Sequence, residues 1–282
     1  MAIVMKKVAL IYDFDKTLCD RDMQEYSLIP DLGYASPGLF WKEVNQIAQA
    51  QDMDNISAYL FVLKKKFEES GRPLTREAFD GIGSSINLYP GVETWFSRVN
   101  AFARNCGLEA EHYIISSGMM EILEQTPIAH EMRKIYACRY YYDENGHAAW
   151  PGVIVNYTTK TQYLFRINKQ VLEERNETDL NTWVPMSQRP IPFGRMIYIA
   201  DGLTDVPCMK LVTTNGGRTI AVYNPNSAKA GLTAQRLLTE KRANFMAESD
   251  YSEGSTMERL IQMILQEMSA HSRLEDLEGI VQ

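Results

Sequence analysis

Cysteine and histidine are scarce, four of each in 282 residues. Cys19, Cys106, Cys138 and Cys208 show no paired spacing, so neither a zinc site nor a disulfide framework is indicated, and reduced thiols are expected. His112, His130, His147 and His271 show no metal-ligand spacing either. No apolar run approaches the length of a membrane span. Residues 1–7 are too short a lead-in to be a signal peptide, so the expectation is a cytoplasmic chain with no membrane partner. Positive charge is in deficit: 29 Lys and Arg against 36 Asp and Glu, a formal net charge of −7. With no basic cluster, this argues against a nucleic-acid partner. There is no internal repeat and no low-complexity segment. What remains, 45% hydrophobic and 23% charged residues, is ordinary globular composition. The length suits one main domain plus an insertion. The oligomeric state is not legible.

Against this background, four short pieces converge on one chemistry. First, an apolar run from Val8 to Tyr12 ends in Asp13-Phe14-Asp15-Lys16-Thr17. Side chains two apart on an extended chain share a face, so Asp13 and Asp15 can aim at one point. Adjacent carboxylates repel unless a cation lies between them, and a hard cation such as Mg²⁺ takes oxygen ligands. An Asp-x-Asp is also an ordinary polar turn. Second, Tyr113-Ile114-Ile115 stops at Ser116-Ser117-Gly118 before a helix-like stretch from Met119. A hydroxyl and free N–H groups there make a site for phosphate oxygens, or a plain N-cap. Third, Lys160 opens a helix-like segment, where an anion in front would offset its conflict with the macrodipole. A lone lysine is otherwise a solvated surface residue. Fourth, the apolar run Met196 to Ala200 ends in Asp201-Gly202-Leu203-Thr204-Asp205. Asp201 would add a carboxylate to a metal, and Asp205 would orient the lysine or a metal-bound water. Asp-Gly is also a common turn.

In this order the four pieces resemble the four motifs of the haloacid dehalogenase (HAD) superfamily, whose best-known members are phosphatases. The resemblance runs from residue 8 to residue 206. It implies an α/β fold, a Rossmann-like parallel sheet with an inserted helical cap, and active-site residues at the strand ends. Residue by residue, it implies that Asp13 is the nucleophile that forms an aspartyl-phosphate and Asp15 the general acid and base. Thr17 would brace the loop and Asp15, while Ser116 and Lys160 would clamp phosphoryl oxygens. Ser117 and Gly118 would form the adjoining turn, Ser116 and Ser117 being rivals for the motif hydroxyl. Mg²⁺ would be held by Asp13, Asp15 (through its carbonyl) and Asp201, with Asp205 the auxiliary acid. Dehalogenases lack the second Asp of the first motif, so Asp15 favours phosphate esters. Ala200 stands where many relatives carry Gly or Asp.

The implied activity is a Mg²⁺-dependent phosphatase acting on a small phosphorylated metabolite. The alternatives are a phosphotransferase or phosphomutase with the same intermediate, or a phosphate-binding protein without turnover.

The core is expected over residues 1–19 and 89–282, and a helical cap over 20–88. Ile56, Tyr59-Leu60, Leu63 and Phe67 recur at helical spacing, and residues 75–86 suit another short helix. Trp41, Tyr59 and Phe67 read as cap core, and Lys64-Lys65-Lys66 as a solvated face. Phosphoserine phosphatases carry a Glu nine residues after the nucleophile. Asp22 stands there, which makes Arg21, Asp22 and Gln24 candidate substrate contacts and puts phosphoserine itself in doubt. Lys134 to Tyr142, the turn Asp143-Glu144-Asn145-Gly146 and residues 153–155 suggest a β-hairpin. Residues 171–194 suggest a surface loop.

Overall fold

A computed structural model describes residues 5–281; residues 1–4, where the question of a leader arises, and residue 282 lie outside it. Among the described residues seven strands form one sheet in the order β4-β3-β2-β1-β5-β6-β7. They are β1 (Lys6–Tyr12), β2 (Leu108–Met119), β3 (Lys134–Tyr142), β4 (Ala148–Val153), β5 (Met196–Ala200), β6 (Arg218–Tyr223) and β7 (Phe245–Glu248). All pairings are parallel except β3 with β4, which is antiparallel. Val8 to Tyr12 are wholly buried. That is why β1 is an unbroken apolar run rather than an alternating one: a central parallel strand is covered on both faces.

Ten helices accompany the sheet among the described residues: α1 (Leu28–Asp31), α2 (Pro37–Gln51), α3 (Asn55–Glu69), α4 (Val92–Asn105), α5 (Met120–Leu123), α6 (Lys160–Lys169), α7 (Glu177–Asn181), α8 (Val206–Thr214), α9 (Ala228–Thr239) and α10 (Thr256–Val281). α4 packs on β2 and α10, α8 on β5 and β6, and α9 on β6 and β7. The chain passes from β1 to β2 on one side and later returns to β5 on the other. The crevice therefore opens beyond the carboxyl ends of β1 and β5, where such sheets bind ligands.

The segment between β1 and α4 is helical and leaves the sheet at a narrow neck. Cys19 and Leu88 form an isolated antiparallel bridge, and Tyr89 N–H donates to the Leu18 carbonyl at 3.0 Å. Within it α2 packs on α3, whose first turn is capped by Asp54 accepting from Ile56 and Ser57 N–H. Lys64 and Lys66 pair with Glu68, Glu43 and Glu69 along the outer surface.

Three local expectations are corrected. Residues 75–86 form two 3-10 turns, Arg76–Phe79 and Gly83–Ser85, rather than one helix, because Gly81 between them has φ +77°. The return strand of the hairpin is Ala148–Val153 rather than 153–155. The tight Asp143 turn, closed by Asp143 N–H to the His147 carbonyl at 2.9 Å, restarts pairing at once. Pro151 is accommodated because β4 is an edge strand. Val155 instead donates its N–H to Cys138 Sγ. The loop 171–194 contains the short α7.

Candidate active site

The loops after β1 and β5 deliver the carboxylates. Asp13 directly follows β1, and its N–H continues the ladder by donating to the Ile199 carbonyl at 3.0 Å. The chain then turns through Lys16, φ +59°, with Thr17 N–H closing on the Phe14 carbonyl. Asp201 directly follows β5, and Asp205 sits four residues on, at the start of α8. Carboxylate oxygens of Asp13, Asp201 and Asp205 lie within 4.8 Å of one another.

Lys160, the first residue of α6, is buried among them. Its Nζ donates to Asp13 Oδ1 at 2.9 Å and to Asp205 Oδ1 at 2.7 Å. Burial works to lower its pKa, but the two carboxylates outweigh that and hold it above the usual lysine range. Asp205 is spent on the protein: Oδ1 also accepts from Tyr198 OH at 2.5 Å, and Oδ2 from Thr204 Oγ1 at 3.0 Å. These bonds make Asp205 a brace for Lys160, and its carboxylate also belongs to the cluster with Asp13 and Asp201. Asp201 is in the opposite situation. Burial, then the charges of Asp13 and Asp205, push its carboxyl up to about 8. A buried carboxylate raised by like charge is a group that a cation would relieve. The donor set of Asp13 and Asp201, all oxygen, fits a hard divalent ion.

Asp15 opens to the same cavity. Burial, Asp22 and Asp13 raise its pKa well above the carboxylate range, against a bond from Met23 N–H to Oδ1 at 2.8 Å. A rise in this direction favours the protonated form, the form a general acid starts from.

The cavity has a volume of about 570 Å³. It brings together Asp13, Asp15, Lys160 and Asp201, and also Asp22, Gln24 and Ser117. It does not bring in every expected residue. Ser116 is fully buried, its Oγ accepting from Gly118 N–H at 3.0 Å, and the neighbour that lines the cavity is Ser117. Adjacent residues of an extended strand face opposite ways, and β2 runs through both. Gly118 faces Met23, whose Sδ a Cβ there would meet at 2.5 Å, so its smallness serves packing. Arg21 is exposed; its guanidinium is forked on Asp20 and lies over the Tyr26 ring. Thr17 is buried with Oγ1 unpartnered, so its hydroxyl does not brace Asp15 here, and the loop is held through its carbonyl by Tyr251 OH at 2.9 Å.

Two residues read from sequence as cap core pack in that core and also line the cavity: Trp41 and Tyr59. Their helical spacing put them on the inner stripe, and that stripe serves both packing and cavity wall. Lys16, Ile56, Leu203, Ser227 and Lys229 also line it. Lys16 and Leu203 lie inside the first and fourth motifs and Ile56 on the α3 stripe, whereas Ser227 and Lys229 carried no sequence signal.

No family model matches the chain. An uncharacterized protein of Borreliella burgdorferi is 28% identical over 280 residues, covering 89% of this chain and 93% of that one. Among solved structures, a HAD-family hydrolase from Salmonella enterica serovar Typhi superposes with a TM-score of 0.58 at 14% identity, covering 92% of this chain and 72% of that one. A probable phosphoserine phosphatase from Vibrio cholerae gives 0.58 at 13% identity, covering 95% and 67%. A phosphoserine phosphatase bearing a phospho-aspartyl intermediate analogue gives 0.53 at 14% identity, covering 92% and 99%. The chain therefore shares its fold with these solved structures, a HAD-family hydrolase and phosphoserine phosphatases. The α/β parallel-sheet architecture expected from sequence holds.

Proposed function

We propose that this protein is a HAD-type phosphatase, a Mg²⁺-dependent hydrolase of a small phosphomonoester. The observation that carries the reading is the Lys160 ammonium bonded to both Asp13 and Asp205, with Asp15 and Asp201 opening onto the same cavity. Phosphoryl transfer asks mainly for positioning and for neutralisation of charge, and this constellation provides both.

Asp13 attacks phosphorus with a carboxylate oxygen, and the ester P–O bond breaks. Asp15 gives its proton to the departing alkoxide. The products are the alcohol and an aspartyl-phosphate on Asp13. Asp15, now ionised, takes a proton from the water that attacks phosphorus; the bond to Asp13 breaks and phosphate leaves. Lys160 holds Asp13 in line and offsets charge on the phosphoryl oxygens. Ser117 is the cavity-lining hydroxyl from the second motif. Mg²⁺, held by Asp13, Asp201 and the Asp15 carbonyl, would neutralise phosphoryl charge. The helical segment 20–88 serves as a cap that closes the site and excludes bulk water. Four free cysteines and the absence of any membrane-length apolar helix among the described residues support a cytoplasmic setting.

The test is release of p-nitrophenol from p-nitrophenyl phosphate, with Mg²⁺ and with excess EDTA. Turnover that needs Mg²⁺ supports the reading. If neither condition gives turnover, and Mg²⁺ does not promote trapping of a phosphate analogue, the phosphatase reading is lost.

A further inference from the structure

Trp41 and Tyr59 line the same cavity as Asp13 and Asp15, and their geometry is that of a built wall. Trp41 is anchored by Nε1 donating to Glu25 Oε1 at 2.9 Å. It packs edge-on against Phe40, with centroids 5.1 Å apart, and tilts at 55° to Tyr59 at 5.9 Å. Tyr59 is almost fully buried yet borders the cavity. Ile56, one helical turn before Leu60 on α3, extends the surface. Gln24, 3% exposed, also borders the cavity; its Nε2 donates to Tyr59 OH at 3.2 Å, which leaves the amide oxygen uncommitted.

Of the charged groups that line the cavity apart from Asp13, Asp15, Lys160 and Asp201, two neutralise each other and the third is Lys229. Asp22 and Lys16 are paired with each other at 2.5 Å. A phosphorylated amino acid would bring an ammonium and a carboxylate, both needing a charged or strongly polar partner in place of lost water. An uncharged planar group would instead replace water on the indole, phenol and isoleucine surfaces, and use one hydrogen-bond position at Gln24. The volume of about 570 Å³ leaves room for such a group beyond the phosphate.

We propose that the substrate is a phosphomonoester whose leaving alcohol carries a planar, uncharged, largely apolar group, seated against Trp41 and Tyr59 with Gln24 reading a polar edge. This rests on the phosphatase reading, and Trp41 is then its main specificity-determining residue.

The test uses the full chain with Mg²⁺ and two non-hydrolysable probes, benzylphosphonate and propylphosphonate, titrated by calorimetry. Wild type should bind the benzyl compound about tenfold more tightly, the worth of a stacked, buried ring. Trp41→Ala should remove most of that preference, and Trp41→Phe should retain much of it. The same ranking should appear in kcat/KM for benzyl phosphate over propyl phosphate and O-phosphoserine, whose alkyl leaving groups keep reactivity comparable. Equal binding of the two phosphonates by wild type overturns the proposal. So does a preference that survives in a folded Trp41→Ala protein, or O-phosphoserine turned over better than benzyl phosphate. Should Trp41→Ala fail to fold, the wild-type ratio and the Phe variant still decide. Selective phosphonate binding with no ester hydrolysed would retain the aromatic wall and reject the phosphatase reading.

Discussion

Lys160 Nζ lies 2.7 Å from Asp205 Oδ1, and both side chains are shut off from solvent. The same ammonium reaches Asp13 at 2.9 Å, so Asp205 is linked to Asp13, the proposed nucleophile, through the lysine. Tyr198 OH also donates to Asp205 Oδ1 and Thr204 Oγ1 to Oδ2. Asp205 and Asp201 should therefore fail in different ways. Asp205→Asn is expected to lower kcat by about 10- to 100-fold, the usual range for a supporting carboxylate, with little change in the Mg²⁺ concentration for half-activity. Asp201→Asn is expected to raise that concentration strongly. Activity measured across a Mg²⁺ titration separates them, and identical shifts for both variants would contradict the division of roles.

Asp13→Asn removes the proposed nucleophile and also a source of strain. Burial, then Asp205, holds the Asp13 carboxyl above its ordinary range, with Lys160 only partly opposing. The variant should show no steady-state turnover. Without metal it should melt no lower than wild type, because a carboxylate that repels Asp201 is gone while Lys160 keeps Asp205. Thermal unfolding in EDTA, paired with an activity assay, checks both halves.

His112 predicts how stability responds to acid. It lies in the sheet interior, bonded through Nδ1 to Tyr12 OH and through Nε2 to Asn100 Oδ1, each at 3.1 Å. Trp95 Nε1 in turn donates to Tyr12 OH at 2.9 Å. Burial drives the imidazole pKa down to about 3. The unfolded chain would take up this proton near pH 6.5 and the folded chain would not. Between those values the unfolded state binds more protons, so stability is fully present above about pH 6.5 and declines towards pH 3. The contribution is about 1.4 kcal/mol per pH unit. Urea unfolding at pH 7, 6 and 5 should show it, and His112→Gln should flatten the slope by one proton even if it lowers stability at pH 7.

Gly91 supports the neck from the core side. It has φ +80°, and a Cβ there would meet Ser252 Cα at 2.5 Å. Gly91→Ala combines a disfavoured backbone region with a clash against main chain, which cannot swing away as a side chain can. A loss of about 2–3 kcal/mol is expected from such overpacking. Gly107→Ala has a similar positive φ of +77° but open space around its Cβ, and should cost less. Denaturation of the two variants side by side isolates the steric part.

Much of this was legible in the chain. Asp13, Asp15 and Asp201 each follow a buried apolar run, and a run that ends in a carboxylate places it at a strand end whatever the rest of the fold does. The α/β class was implied by the resemblance that the motifs at the ends of these runs carry. Spacing within an element was less informative about what lies opposite. Ser116 and Ser117 are one residue apart on a strand, so only the sheet's orientation decides which borders the cavity. Arg21 stands beside Asp22, yet its guanidinium finds Asp20 first and stays outside.

Local sequence determined the placing of Asp13, Asp15 and Asp201, because groups at strand ends are held by the backbone that immediately precedes them. Tertiary structure decided the substrate wall and the role of Asp205. The stripe on α3 that carries Tyr59 is apolar whether it meets a helix or a cavity, and nothing within the stripe distinguishes those partners. Asp205 has the composition of a metal ligand. It became a brace when folding brought Lys160, 45 residues away, and Tyr198 on β5 within hydrogen-bond reach, beside its neighbour Thr204.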